Sequence, residues 1–225
     1  MIFADNMIAF IKKLRFPLAL PDGIEVMTPF EDAAAMQACT SFYKKYYSDN
    51  RQRHMIIGIN PGRFGGGVTG IPFTDPIRLQ NDCGIENNWA KKQELSSLYV
   101  YEMIRAFGGT ASFYKQFYIT AVSPLGFTRL GKNLNYYDDK ILQEAIKPFV
   151  IDCLEKQFRF GIDQDTAFCL GDGKNFKYLS ALNKEKGFFK KIIPLPHPRF
   201  IMQYKLKKKQ EYIDHYIQQL SRINP

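Results

Sequence analysis

Short apolar segments alternate with helical segments through most of the chain, and this order constrains the fold more than any other feature. Four of the apolar segments are predicted to be strands: 55–59, 117–122, 166–170 and 191–195. Apolar strands separated by helices are typical of a parallel sheet whose two faces are both covered. We therefore predict the α/β class, as a three-layer α/β/α sandwich with a four-stranded parallel sheet.

Helices are predicted before, between and after these strands. An N-terminal amphipathic helix is indicated by apolar residues at helical spacing: Phe3, Met7, Phe10, Ile11 and Leu14. Thr28-Pro29-Phe30-Glu31 has the pattern of a capping box with proline at the first helical position, and predicts a helix through residue 47. Four more helices are predicted within 89–107, from about 138 to 160, near 175–182 and around 207–222.

Length and cysteine spacing limit the class of protein. A chain of 225 residues buries roughly 70% of its unfolded surface, so it needs no disulfide or metal to hold a core. We predict one domain, 1–225, with N-terminal helices in 1–50 packed on the sheet. The four cysteines stand singly, without zinc or thioredoxin spacing, and we predict no metal and no cofactor. The N-terminal segment resembles neither a signal peptide nor a membrane span, so a reducing cytoplasm is expected.

Positive charge is concentrated in one stretch of the sequence. The net charge is +9, yet residues 174–209 hold eleven basic residues and one acid, Glu185, which leaves about −1 for the rest. Such a stretch favours a polyanionic partner. A solvated basic face that keeps the protein soluble is the alternative, and charge alone does not decide between them.

Unusual residues follow each of the four predicted strands directly. The segments are GINPG from Gly58, SPLGF from Ser123, GDG from Gly171 and LPHPR from Leu195. The carboxyl ends of parallel strands share one edge of the sheet, and ligands bind at that edge in open α/β folds. The four segments are therefore predicted to converge on one site.

The first of these segments continues as a glycine-rich stretch over 58–73. It is not a Walker loop, because no Gly-Lys-Ser/Thr closes it, and it is not a dinucleotide fingerprint, because GxGxxG does not open a helix. On glycine content alone a mobile surface loop and a generic phosphate cradle both stay open.

The order of residues in this stretch resembles a known family. The pattern N-P-G-x-F-G-x-x-x-T-G-x-P-F over 60–73 is similar to the first active-site motif of the uracil-DNA glycosylase superfamily, in its single-strand-selective monofunctional (SMUG-type) branch. Segments 117–125 and 131–134 resemble the second strand and the following loop of that branch. His197-Pro198-x-Phe200 resembles its last motif, so the resemblance covers roughly residues 50–205 in order.

The resemblance implies a role for each matched residue. Asn60 would position the attacking water, Phe73 would stack on the flipped base, and His197 would donate a hydrogen bond to base O2 as the base leaves. These roles suit the chemistry, because cleavage builds positive charge on the sugar and negative charge on the base. The implied base-binding residues are Gly62, Phe64, Gly65, Phe73, Ala121 and Ser123.

The sequence departs from the branch at two positions. Ala121 stands where the branch has the asparagine that reads uracil, so Thr120 or Ser123 could substitute, or another base could be preferred. The final motif is shortened, and either Arg199 or Phe200 could be the wedge that enters the duplex. Asp75 could orient water or cap the next helix.

The resemblance therefore implies a monofunctional base-excision repair glycosylase with strand order 2-1-3-4 and water as nucleophile. We expect no cofactor, a monomer, and damaged DNA as the partner. The residues expected to contact DNA are Lys132, Arg199, Phe200, Lys207, Lys208 and Lys209. Two alternatives stay open. One is a non-catalytic nucleic-acid-binding protein of the same fold, and the other is a glycosylase for xanthine, hypoxanthine or an oxidised pyrimidine.

Overall fold

A four-stranded parallel sheet with the order β3-β2-β6-β7 forms the centre of the computed structural model, which describes residues 2–223. The strands are β1 (Ile24–Met27), β2 (Arg53–Gly58), β3 (Phe117–Ala121), β4 (Gly126–Arg129), β5 (Lys132–Leu134), β6 (Ile162–Leu170) and β7 (Lys191–Leu195). Counted along the chain, the parallel strands have the order 2-1-3-4. The predicted α/β class, parallel sheet and strand order are confirmed.

Helices flank this sheet. They are α1 (Phe3–Lys13), α2 (Ala33–Tyr47), α3 (Gly66–Thr69), α4 (Pro76–Asn81), α5 (Leu95–Ala106), α6 (Gly109–Gln116), α7 (Lys140–Ala145), α8 (Lys147–Phe158), α9 (Lys174–Lys186), α10 (Pro198–Tyr204) and α11 (Lys209–Ser221). Helices α2 and α8 both contact α1, whereas α10 and α11 both contact α5. Within residues 2–223, no helix is both long and apolar enough to cross a membrane.

Two helix boundaries differ from the sequence prediction. Helix α2 is capped by Asp32, whose carboxylate accepts the Ala35 N–H at 2.8 Å, and the Thr28 motif forms a separate 3₁₀ turn over Pro29–Glu31. The helix expected over 138–160 is divided at Ile146. Pro148, in the first turn of α8, cannot donate the backbone hydrogen bond that would continue α7.

The sequence prediction missed a second sheet, which is antiparallel with the order β1-β4-β5. Its strands have only three or four residues, too few for a periodic pattern to be recognised. Leu130 and Gly131, both with positive φ, make the turn between β4 and β5. This sheet brings residues 133–136 beside the end of β2, where the site forms.

The N-terminal segment is joined to the central sheet by a buried arginine. Arg53 opens β2 and is fully buried. Its guanidinium donates to Asp49 at 2.9 Å and to the Tyr114 carbonyl at 2.8 Å, and it lies over the rings of Phe3 and Tyr47. Ion pairing and hydrogen bonds offset the cost of burying this charge.

Candidate active site

A cavity opens at the carboxyl ends of β2, β3 and β7, at the sheet edge where the sequence predicts the site. Its wall is formed by loop and strand residues and by residues in the first turns of α3, α5 and α10: Ile59, Asn60, Pro61, Gly62, Gly66, Pro72, Phe73, Glu94, Ser96, Ala121, Asn133, Asn135, His197 and Arg199. Segments from residue 59 to residue 199 therefore meet in one place. Of the four segments predicted to converge, those from Gly58 and Leu195 line the cavity. The GDG segment instead lines a neighbouring groove, and the SPLGF segment contributes no residue to the cavity wall.

The Asn60 side chain is fixed by the backbone beyond β5. Its Oδ1 accepts the Tyr136 N–H at 3.0 Å, and its Nδ2 donates to the Leu134 carbonyl at 3.2 Å and to the Pro61 carbonyl at 3.4 Å. These partners assign the two ends of the amide, because the backbone donor must face the oxygen. Oδ1 keeps one lone pair for a further hydrogen bond.

Phe73 reaches the cavity through an unusual backbone conformation. Its φ is 52°, a left-handed value that costs a non-glycine residue of order 1–3 kcal/mol and is typical of functional sites. The ring packs on Gly58 at the end of β2, where an added methyl group would lie 2.7 Å from a ring carbon. Its centroid is 5.9 Å from that of His197, so the two rings line adjacent parts of the cavity.

His197 presents a defined tautomer to the cavity. It caps α10, and its Nδ1 accepts the Arg199 N–H at 3.1 Å. In the neutral ring the proton must therefore be on Nε2. Burial, with a smaller contribution from Arg199, lowers the pKa of His197 to about 4. At neutral pH the ring is an uncharged hydrogen-bond donor.

The end of β3 contributes Ala121 to the cavity and no polar side chain. Thr120 faces the opposite side of the strand, where its hydroxyl donates to Gln157 at 2.8 Å. Ser123 is fully buried and donates to the Leu125 carbonyl at 2.7 Å, within its own turn. Neither lines the cavity, so the expectation that Ser123 contacts the base is not supported by its position.

Two residues expected to bind the base lie elsewhere in the glycine-rich stretch. The Phe64 ring is 38% exposed in an outer cleft, and Arg63 lies 4.6 Å from its centroid. Phe64 is not part of the cavity wall. Gly65 is also absent from the cavity wall, whereas Gly62 is part of it.

Glu94 lines the cavity and was not found from the sequence. A methyl group added at Gly62 would lie 2.8 Å from its Oε1, and one added at Gly65 would overlap its Oε2. Oε2 also accepts the Ser97 hydroxyl at 2.8 Å. Burial raises the pKa of Glu94 to about 7, against the lowering effect of the Ser97 hydrogen bond. No local motif marks Glu94, because only the fold brings it to the loop.

Asp75 caps two helices instead of facing the cavity. Its Oδ1 accepts the Arg78 N–H at 2.8 Å at the start of α4, and its Oδ2 accepts the Glu94 N–H at 2.8 Å just before α5. The carboxylate is fully buried and is not part of the cavity wall. Of the two roles left open for Asp75, the structure supports the cap.

An outer cleft adjoins the cavity and carries positive charge. It is lined by Arg63, Phe64, Gln93, Glu94, Leu95, Ser96, Lys132, Asn133 and Arg199. A groove on the other side of His197 includes Lys174, Phe200 and Tyr204, and the two aromatic rings have centroids 5.7 Å apart. Of the residues expected to contact DNA, Lys132 and Phe200 thus lie next to the cavity, and Arg199 is part of its wall.

The lysine run after α10 has a different position. Lys207, Lys208 and Lys209 line neither the cavity nor the two clefts beside it. Lys208 pairs with Glu211 at 3.5 Å, and Lys209 pairs with Glu102 at 2.6 Å. Local ion pairs therefore account for part of this charge. Residues 2–223 contain no cluster of three or more metal-ligating side chains.

Comparison with known proteins decides the family. A sequence profile described as the uracil DNA glycosylase superfamily matches residues 44–221. The chain belongs to the uracil-DNA glycosylase superfamily. This glycosylase also resembles a solved structure, that of wild-type SMUG2 from Pedobacter heparinus, with 51% sequence identity and a TM-score of 0.97 over 100% of this chain and 99% of that one. A search of curated proteins gave no match.

The resemblance deduced from the motifs is thereby confirmed. The chain is a DNA glycosylase of the SMUG type, a class of base-excision repair enzymes. Of the alternatives left open by the sequence, the non-catalytic binding protein is not supported by this membership.

Proposed function

We propose that the protein hydrolyses the N-glycosidic bond of a deaminated base, uracil or a related lesion, after the base has flipped out of the DNA into the cavity. The observation that carries the proposal is the convergence of three groups at one sheet edge. These are the oriented amide of Asn60, the Phe73 ring and the neutral His197 ring. They supply water positioning, a stacking surface and a donor for the departing base.

The neutral state of His197 suits this reaction. The departing base gains negative charge, and a fixed N–H donor stabilises that charge more in the transition state than in the ground state. With Nδ1 occupied by the Arg199 N–H, Nε2–H is the donor that faces the base. Phe73 would stack on the base, an interaction worth about 1–3 kcal/mol.

We propose that water, and not an amine, is the nucleophile. A bifunctional glycosylase forms a Schiff base through an amine in its site. Among the described residues that line the cavity there is no lysine. The product is then an intact strand with an abasic sugar.

The identity of the base depends on the end of β3. Ala121 offers no hydrogen bond at the position that reads uracil in the branch, and Thr120 and Ser123 are bonded elsewhere. This favours a second candidate function, the release of xanthine, hypoxanthine or an oxidised pyrimidine. Both candidates use the same hydrolytic chemistry.

A panel of oligonucleotides tests the proposal. Each carries one lesion (uracil, xanthine, hypoxanthine or an oxidised pyrimidine) in single-stranded and duplex form, and an undamaged oligonucleotide serves as control. We expect release of at least one base, strand breaks only after alkali, and no adduct trapped by borohydride. A trapped adduct would exclude water as the nucleophile, and intact strands with every lesion would refute the proposal.

Three further expectations stay predictions. We expect the protein to act as a monomer, on DNA containing a damaged base, in a reducing cytoplasm. The four buried, unpaired cysteines are compatible with such a compartment.

A further inference from the structure

Glu94 stands at the boundary between two spaces. It lines the inner cavity with Asn60, Phe73 and His197, and it also lines the outer basic cleft with Arg63 and Lys132. If the cavity holds the base and the outer cleft holds the phosphates, the sugar and its glycosidic bond must lie between them. The Glu94 carboxylate is then beside the reacting carbon.

One oxygen of this carboxylate is available. Oε2 accepts the Ser97 hydroxyl and rests against Gly65. Oε1 lies over Gly62 and takes no hydrogen bond from the residues that the structure describes. The carboxylate fits in this position because Gly62 and Gly65 have no side chains. The backbone N–H of Glu94 donates a hydrogen bond to Asp75, which fixes the position from which the Glu94 side chain extends.

Asn60 cannot accept the proton that the attacking water must lose. Its amide is already bonded to the backbone of Leu134 and Tyr136, and an amide is too weak a base to accept a proton from water. Water that attacks the sugar must nevertheless lose a proton. Gly62, against which Oε1 rests, is only two residues from Asn60 along the chain.

We propose that Glu94 is a second catalytic residue, the general base that takes this proton. The proposal rests on the glycosidic hydrolysis proposed above. Water oriented by Asn60 forms the bond to C1′ while the C1′–N bond breaks and its electron pair leaves with the base. The proton of the water passes to Oε1 of Glu94, and the anionic base is held by the Nε2–H of His197.

The charges around Glu94 fit this role. Burial and Asp75 favour the protonated carboxyl, whereas the Ser97 hydroxyl and Arg199 favour the carboxylate, and the resulting pKa is about 7. Arg63 and Lys132 face the same outer cleft. A base whose pKa lies near the working pH is present as carboxylate and can still hold the proton that it receives.

Single-turnover rates at saturating protein, measured between pH 5 and 9 on the best lesion substrate, test the proposal. Wild type should gain about tenfold per pH unit below pH 7 and level off above it. Glu94→Gln keeps the shape of the side chain and should be slower by about 10²-fold or more at pH 8, without this pH dependence. Glu86→Gln, an exposed carboxylate in the same connection between α4 and α5, is the matched control and should behave as wild type.

Rescue separates a chemical role from a structural one. Formate added to Glu94→Ala should restore part of the rate, and DNA affinity should stay within about twofold in both variants. An unchanged rate in Glu94→Gln, or a slow variant that keeps the wild-type pH profile, would overturn the inference while leaving the proposed function intact. A wild-type protein that releases no base from any substrate would instead refute the proposed function itself.

Discussion

The wall of the cavity and the basic stretch over 174–209 are both conspicuous in the sequence, but they differ in how their polar side chains are held in the structure. In the cavity, polar groups are fixed by bonds to the backbone or to a neighbouring hydroxyl, as at Asn60, His197 and Glu94. In the basic stretch, lysines are largely exposed and several pair with acids, such as Lys190 with Asp165 at 2.7 Å. Fixed geometry is what catalysis requires, whereas an exposed lysine contributes mainly charge.

This difference predicts separate roles for the two regions, one in the chemical step and one in DNA binding. Residues of the cavity should control the rate of base release with little effect on DNA affinity. Basic residues should control affinity and its salt dependence with little effect on chemistry, and only where they line a cleft that DNA can reach.

The largest effect is expected at Asn60 and His197. Asn60→Ala and His197→Ala should each lower the single-turnover rate of base release, His197→Ala by about 10²–10³-fold, because a donor aimed at developing charge is lost. His215→Ala, an exposed histidine on α11, is the matched control. DNA affinity and melting temperature are measured alongside. Wild-type rates in both variants would remove the distinction between the two regions.

The next effect concerns the apolar end of β3. Ala121→Asn should raise selectivity for uracil over the other lesions by roughly fivefold, because a matched hydrogen bond is worth about one kcal/mol. The measurement is the ratio of kcat/KM values across the lesion panel. A fall in uracil release, or a shift toward another base, would show that the cavity is shaped for something other than uracil.

Two groups of the cavity should also leave opposite signatures in the pH dependence of stability. Glu94 has a folded pKa of about 7 against an ordinary value of 4.5, so the unfolded chain loses its proton first and stability falls as pH rises between these values. His197 has a folded pKa of about 4 against 6.5. The unfolded chain binds its proton first, and stability falls as pH drops through that range.

Glu94→Gln removes only the first of these contributions. Relative to wild type, the variant should gain stability between pH 5 and pH 8, by on the order of 1 kcal/mol because the carboxyl is only partly buried, or about 2–4 °C in melting temperature. Thermal unfolding at several pH values measures this. Parallel curves for the two proteins would mean that the Glu94 carboxyl titrates as it does in the unfolded chain.

The sequence predicted those parts of the molecule that repeat or follow a motif. The four parallel strands are apolar and separated by helices, and residues 60, 73 and 197 follow strands directly or belong to a loop that does. Glu94 could not be found in this way, since it is distant from Gly62 and Gly65 along the chain and only the fold brings its carboxylate beside them. The small sheet was also hidden, because its strands are too short for a pattern.

The direction in which a side chain points could not be predicted from the sequence motifs either. Ser123 and Phe64 are in matching motifs, yet the first bonds within its own turn and the second lies against Arg63. The motif sets which residues come near the site. Local hydrogen bonds and solvent exposure set which of them face the cavity.

The smallest effect should come from the lysine run. Lys132 in the outer cleft and Lys207 beyond α10 are both exposed, and neither forms an ion pair within the described residues, so they are a matched pair. Neutralising a lysine that contacts a phosphate lowers the slope of log affinity against log salt by about 0.7–0.9. Lys132→Gln should lose about this much, and Lys207→Gln much less.

The triple change of Lys207, Lys208 and Lys209 to Gln extends this test. Ion pairs with Glu211 and Glu102 already occupy two of the three lysines, so the slope should fall by less than one unit in total instead of two or more. Single-turnover rates at saturating protein should stay near wild type for every lesion. Measuring the DNA affinity of the triple variant and of wild type over a range of salt concentrations gives the two slopes. A loss of two units or more would show that DNA follows the lysine run, and the basic stretch would then belong with the cavity as part of the functional surface.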